Sequence, residues 1–63
     1  MDMVERLRIL RDTLGLTQEE FGRRLGVTNA AICRLEAGSN RLTEQMIKSI
    51  CREYHVRREW LLD

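Results

Sequence analysis

Residues 17–36 run TQEEFGRRLGVTNAAICRLE, and two short helices are written into them. Thr17 stands three residues ahead of Glu20, the spacing at which a hydroxyl and a carboxylate each satisfy a free backbone N–H at a helix start. A helix over about residues 18–25 follows, with Phe21 and Leu25 on its inner side. It stops at Gly26, where the missing Cβ permits the positive φ of a tight turn. Val27 leads to Thr28, a second N-cap candidate, and Ile32 and Leu35 supply the inward side of a helix over about 29–37. Only one side of this pair is committed to packing. Asn29, Ala30, Cys33 and Arg34 fall on the other side, free to meet a partner.

The flanks carry the same grammar. Met3, Leu7, Leu10 and Leu14 recur at intervals of three and four residues, which predicts an amphipathic helix over residues 2–14 ended by Gly15. Gly38 stops the helix over 29–37, residues 39–42 have loop chemistry, and Thr43 caps a fourth helix with Ile47, Ile50, Cys51 and Tyr54 on one face. Val56 opens a final short helix in which Trp60 and Leu61 are expected to face inward. Pro is absent and Leu, Arg and Glu dominate, so the expectation is an all-α fold of five helices. At 63 residues the chain is expected to be a single domain over 1–63, close to the smallest size at which one core holds a fold without disulfides or metal.

Composition excludes more than it selects. Cys33 and Cys51 make no disulfide framework, and with His55 as the one histidine no metal-ligand set assembles. Apolar runs are short and the N-terminus lacks the apolar stretch of a signal peptide, which leads to the expectation of a soluble protein in a reducing cytoplasm. No carboxylate pair, nucleophile with a base, or Gly-rich phosphate loop points to an enzyme, and neither a cofactor nor a small-molecule ligand is expected. The net charge is only +1, but it is unevenly spread: residues 1–22 carry −2, residues 23–42 carry +3 and residues 43–63 balance. A basic centre in a balanced chain suits a local polyanion-binding surface.

Two short helices joined by a three-residue turn containing Gly26, the second with an uncommitted outer face, make a helix-turn-helix pattern. Several spaced elements agree with it: LGLTQEEF at 14–21, LGVT at 25–28, ICRLEAG at 32–38 and the closing Val56 with Trp60, Leu61 and Leu62. Together they resemble the Cro and repressor (Cro/C1-type, XRE) helix-turn-helix family of transcriptional regulators, over nearly the whole chain. The resemblance implies a five-helix, lambda-repressor-like DNA-binding domain whose third helix reads the major groove.

The same resemblance implies roles for single residues. Thr17 and Gln18, at the start of the second helix, would contact phosphate. Thr28, Asn29, Ala30 and Arg34 would read bases: an Asn amide pairs with adenine N6 and N7, Arg with guanine O6 and N7, and the Ala methyl packs on thymine. Cys33, Asn40, Arg41 and Thr43 would hold the backbone, positioning without specifying. Arg11 and Glu36 would form a structural ion pair between the first and third helices. Gly22 and His55 depart from the pattern, standing where the family has Ala and Gly. Trp60 and Leu62, with Tyr54 and Met46, look like more apolar area than so small a bundle can bury, which suggests a symmetric homodimer. Such a dimer would hold its recognition helices about 34 Å apart and require a palindromic operator in double-stranded DNA. The competing reading is an antitoxin-like or anti-regulator module that binds a protein through the same fold.

Overall fold

Each of the first four helices begins where a short polar side chain takes up a backbone N–H that the helix itself leaves unpaired. In a computed structural model describing residues 2–62, these are α1 (Met3–Leu14), α2 (Gln18–Leu25), α3 (Asn29–Glu36) and α4 (Glu44–Tyr54), followed by α5 (Arg58–Leu62). Asp2 accepts from the N–H of Glu5 at 2.9 Å, Thr28 from Ala31 at 3.1 Å and Thr43 from Met46 at 3.2 Å. At α2 the cap is reciprocal: Thr17 accepts from Glu20 N–H at 3.1 Å, and the Glu20 carboxylate accepts from Thr17 N–H at 3.0 Å. Caps of this kind are each worth about 1 kcal/mol. The all-helical, five-helix expectation holds, and the described residues contain no strand.

Helix ends follow the same local logic. Gly26 adopts φ 78°, turning the chain between α2 and α3 while Val27 N–H donates back to the Gly22 carbonyl at 2.9 Å. His55 takes the left-handed conformation at φ 56° without being glycine, its N–H donating to the Cys51 carbonyl. A Cβ in that region costs roughly 1 kcal/mol. The third helix stops at Glu36, one residue short of the predicted end: Ala37 caps it with right-handed dihedrals, and Gly38 makes the left-handed turn at φ 79°.

The core is assembled from all five helices: Leu7 and Leu10 of α1, Phe21 of α2, Ile32 and Leu35 of α3, Ile47, Ile50 and Tyr54 of α4, and Leu61 of α5. Met3, Leu16, Leu25, Val27, Leu42, Met46, Cys51 and Val56 pack around them. Helix α2 packs on α3 and α4, α1 on α3 and α5, and α4 on α5. Gly22 is buried where α2 meets the start of α3, and a Cβ there would lie 2.9 Å from both Ile32 Cγ1 and the Val27 carbonyl oxygen. Glycine therefore sets how closely the two helices approach.

Tyr54 joins the core from the inner face of α4, as its spacing predicts: its ring stacks on Phe21 at 4.6 Å between centroids and its hydroxyl donates to the Phe21 carbonyl at 2.9 Å, so its polar tip is satisfied inside the core. Two expectations are corrected. Leu14 lies on the predicted inner stripe but is 43% exposed, because it is the last residue of α1 and the stripe outruns its cover. Trp60 does not face in. It is 38% exposed, and the five-residue α5 sends Leu61 to the core instead. Arg6 of α1 lies over the indole at 5.7 Å and donates to the Trp60 carbonyl.

Candidate nucleic-acid interface

The division of α3 into two sides is complete over its length. Ile32 and Leu35 are buried, whereas Thr28, Asn29, Ala30, Cys33 and Arg34 are exposed together on the outer side. Thr28 caps α3 with a lone pair, which leaves its O–H available to donate outward, and Thr43 at the start of α4 is in the same state. Thr17 differs, since its hydroxyl also donates to Glu20 at 3.1 Å and both its roles are used internally.

The loop between α3 and α4 stands next to Arg34. With the Asn40 amide oriented to satisfy its neighbours, its oxygen accepts from Arg34 Nε at 3.3 Å and its nitrogen donates to the Ser39 carbonyl at 3.2 Å. Arg34 is thus steadied at its Nε while the terminal guanidinium nitrogens remain available. Asn40, Arg41 and Thr43 are exposed, and with Met3, Val4, Leu35, Gly38 and Leu42 they line a shallow groove of about 530 Å³.

Behind this surface lies a buried charge. Glu36 is buried at the end of α3, and its carboxylate takes a two-point grip from Arg11, at 2.6 Å from Nε and 3.0 Å from Nη2. Arg11 also donates from Nη1 to the Leu16 carbonyl at 3.0 Å, fixing the turn between α1 and α2. Gln18 adds a third bond to the same carboxylate, donating from Nε2 at 3.2 Å. Burial pushes the Glu36 carboxyl upward, but the hydrogen bonds from Arg11 and Gln18 and the Arg11 charge outweigh it, so the group is held below the ordinary carboxylate range. The bond to Glu36 correspondingly raises Arg11.

The sequence model of a family described as a helix-turn-helix domain matches residues 2–61. The chain belongs to the helix-turn-helix domain family. This is a DNA-binding architecture, and α3 is the second helix of its motif. A curated relative, the antitoxin PezA of Streptococcus pneumoniae serotype 4, is 34% identical over 50 residues. That match covers 79% of this chain but 32% of the relative, so the helix-turn-helix domain spans about a third of the length of the curated protein it matches.

Within this helix-turn-helix domain, Gln18, Arg11 and Glu36 converge on one point, while Asn40 and Arg34 meet at another. Neither the Gln18–Glu36 nor the Asn40–Arg34 bond was readable beforehand: each joins residues on different elements, and no local spacing signals it. Trp60 and Leu62 are each 38% exposed on α5, and Ile9 of α1, which sequence reasoning passed over, is exposed to the same extent. Arg23 reaches Glu19 only at 3.9 Å on a fully solvated helix face. Cys33 is exposed, while Cys51 is half-buried and burial pushes its thiol up, away from the reactive thiolate. Among the described residues no three His, Cys, Asp or Glu side chains gather into a metal site, and no helix is long and apolar enough to cross a membrane.

Proposed function

We propose that residues 1–63 act as one unit that binds double-stranded DNA in a sequence-specific manner and serves as a transcriptional repressor in the cytoplasm of a bacterial or phage-infected cell. The observation that carries this reading is the outer side of α3, where Thr28, Asn29, Ala30 and Arg34 are exposed together while Ile32 and Leu35 of the same helix are buried. In this reading Asn29 and Arg34 contact base edges through their paired donors and acceptors, and Thr28 and Ala30 fill the groove around them. Gln18 at the first position of α2, with Cys33, Asn40, Arg41 and Thr43 around the rim, binds phosphates and sets the register, whereas Thr17, with its N–H and O–H both bonded to Glu20, only caps the helix. Trp60 and Leu62 join two copies, and the symmetric dimer reads a palindromic operator.

Selection of bound sequences from a random duplex pool tests the reading at one stroke. A recovered palindrome with half-sites about one helical turn apart supports it; recovery of unrelated sequences, with no loss of affinity as salt rises, overturns it. Within such a site Arg34→Ala relaxes the preference at one base pair, whereas Arg41→Ala weakens all sequences alike.

A second reading is favoured by the curated relative, which is named as an antitoxin. Here the same fold engages a protein partner, and duplex binding is secondary. Binding to a protein partner that persists unchanged in high salt, with no selected duplex, favours this second reading.

A further inference from the structure

We infer that Glu36, buried and remote from the outer side of α3, is a positioning residue for Gln18, aiming its amide for the phosphate contact at the start of α2. This rests on the proposed role of Gln18 in DNA binding.

A glutamine side chain has three rotatable bonds and an amide that presents either its oxygen or its nitrogen in a given direction, so an unrestrained Gln loses considerable freedom on binding. Gln18 is half-buried, and one N–H of its Nε2 is spent on Glu36 at 3.2 Å. Glu36 accepts hydrogen bonds only, so it selects the nitrogen edge of the amide and excludes the flipped orientation. The remaining N–H of Gln18 is thereby assigned a direction. Its own backbone N–H and that of Glu19 lie in the first turn of α2, where the helix supplies no partner, so side-chain and backbone donors stand together at one end.

The restraint is only as firm as the carboxylate that imposes it, and that carboxylate is held from three elements. Arg11 of α1 grips it at two points and is itself tied to the Leu16 carbonyl; Glu36 closes α3; Gln18 opens α2. The chain of bonds therefore runs from the turn between α1 and α2 through α3 and back to α2. It transmits the relative placement of the two motif helices to a single amide. A pair that merely held the fold together would need Arg11 and Glu36 alone. Asp12, at 3.6 Å from Arg11, and Arg8 are the other charged groups acting on this cluster.

The test is a cycle on the duplex recovered by selection, combined with a titration of the free protein. Arg11→Met with Glu36→Leu replaces the ion pair by apolar groups of similar volume. In the wild type, Gln18→Ala is expected to weaken duplex binding about tenfold with the salt slope unchanged, because a neutral amide releases no counterion. In the paired variant the same substitution is expected to change affinity less than twofold. Equal losses in the two backgrounds overturn the inference, as does wild-type affinity in Gln18→Ala. The titration needs neither DNA nor a folded variant: followed by NMR, the Gln18 side-chain amide of the wild type shifts with the same midpoint as the Glu36 carboxyl carbon, below the ordinary carboxylate range. An amide that ignores that midpoint overturns the inference while leaving the DNA-binding reading intact. Absence of any salt-dependent duplex binding by the wild type overturns that reading, and the positioning role with it, whatever the titration gives.

Discussion

Two Arg–Glu pairs of the same two-point form hold opposite parts of this molecule, and they are not equivalent. Arg11 and Glu36 join α1 to α3 behind the exposed side of α3, with side chains 16% and 5% exposed. Arg58 and Glu44 join α5 to the start of α4, with side chains 46% and 57% exposed. Water and salt screen the second pair, and each of its members is well solvated when apart. The first pair has no such alternative: losing one partner strands a buried charge. The difference teaches that the α1–α2–α3 side is built as a rigid frame for its exposed residues, whereas the α4–α5 side is closed by apolar packing around Leu61 and only trimmed by charge.

Breaking the buried pair gives the largest expected effect. Glu36→Ala leaves Arg11 and Gln18 without their acceptor and is expected to destabilise the fold by about 3 kcal/mol, enough to leave a chain of this size largely unfolded in thermal melts followed by circular dichroism. The same pair sets an acid limit. Because folding holds the Glu36 carboxyl below its unfolded value, its contribution is fully present above about pH 4.3 and is lost as pH falls through the folded value. Melting temperatures measured from pH 7 down to pH 3 should therefore fall below about pH 4, and less steeply in the variant carrying Arg11→Met and Glu36→Leu. Glu20 and Glu44 are also held low by their partners, but both are exposed, and added salt should remove the Glu44 share first.

Gly22→Ala comes next, since its Cβ meets backbone at Val27 as well as Ile32. After the gain in helix propensity it is expected to cost about 2 kcal/mol, read in urea denaturation, and to weaken duplex binding by shifting α3 against α2. On the other side of the molecule His55→Gly is expected to stabilise by about 0.5 kcal/mol, relief of left-handed strain being partly offset by the freedom of the unfolded chain. Arg58→Ala should move the melting temperature least, with a difference that disappears in 0.5 M salt. A large loss there would erase the contrast between the two pairs.

Much of the architecture was legible because its signals are local. Thr17, Thr28 and Thr43 announce helix starts, Gly15, Gly26 and Gly38 announce ends, and the apolar positions between them show which side of each helix turns inward. The face bearing Asn29, Ala30, Cys33 and Arg34 follows from the same periodicity. Exposure at helix ends was not legible. Leu14 and Trp60 have the residue type of core and the place of surface, and Tyr54 hides its hydroxyl on a carbonyl thirty-three residues away in sequence.

The order of residues alone determined five helices, their boundaries to within about two residues and which side of α3 is uncommitted, since caps, glycines and a 3.6-residue period act over one or two turns. Only the tertiary structure decided that Gln18 shares its acceptor with Arg11, that Asn40 meets Arg34, and that Leu61 rather than Trp60 completes the core. Those outcomes depend on where separate helices come to rest against one another, a balance of packing and desolvation that no neighbouring residue encodes.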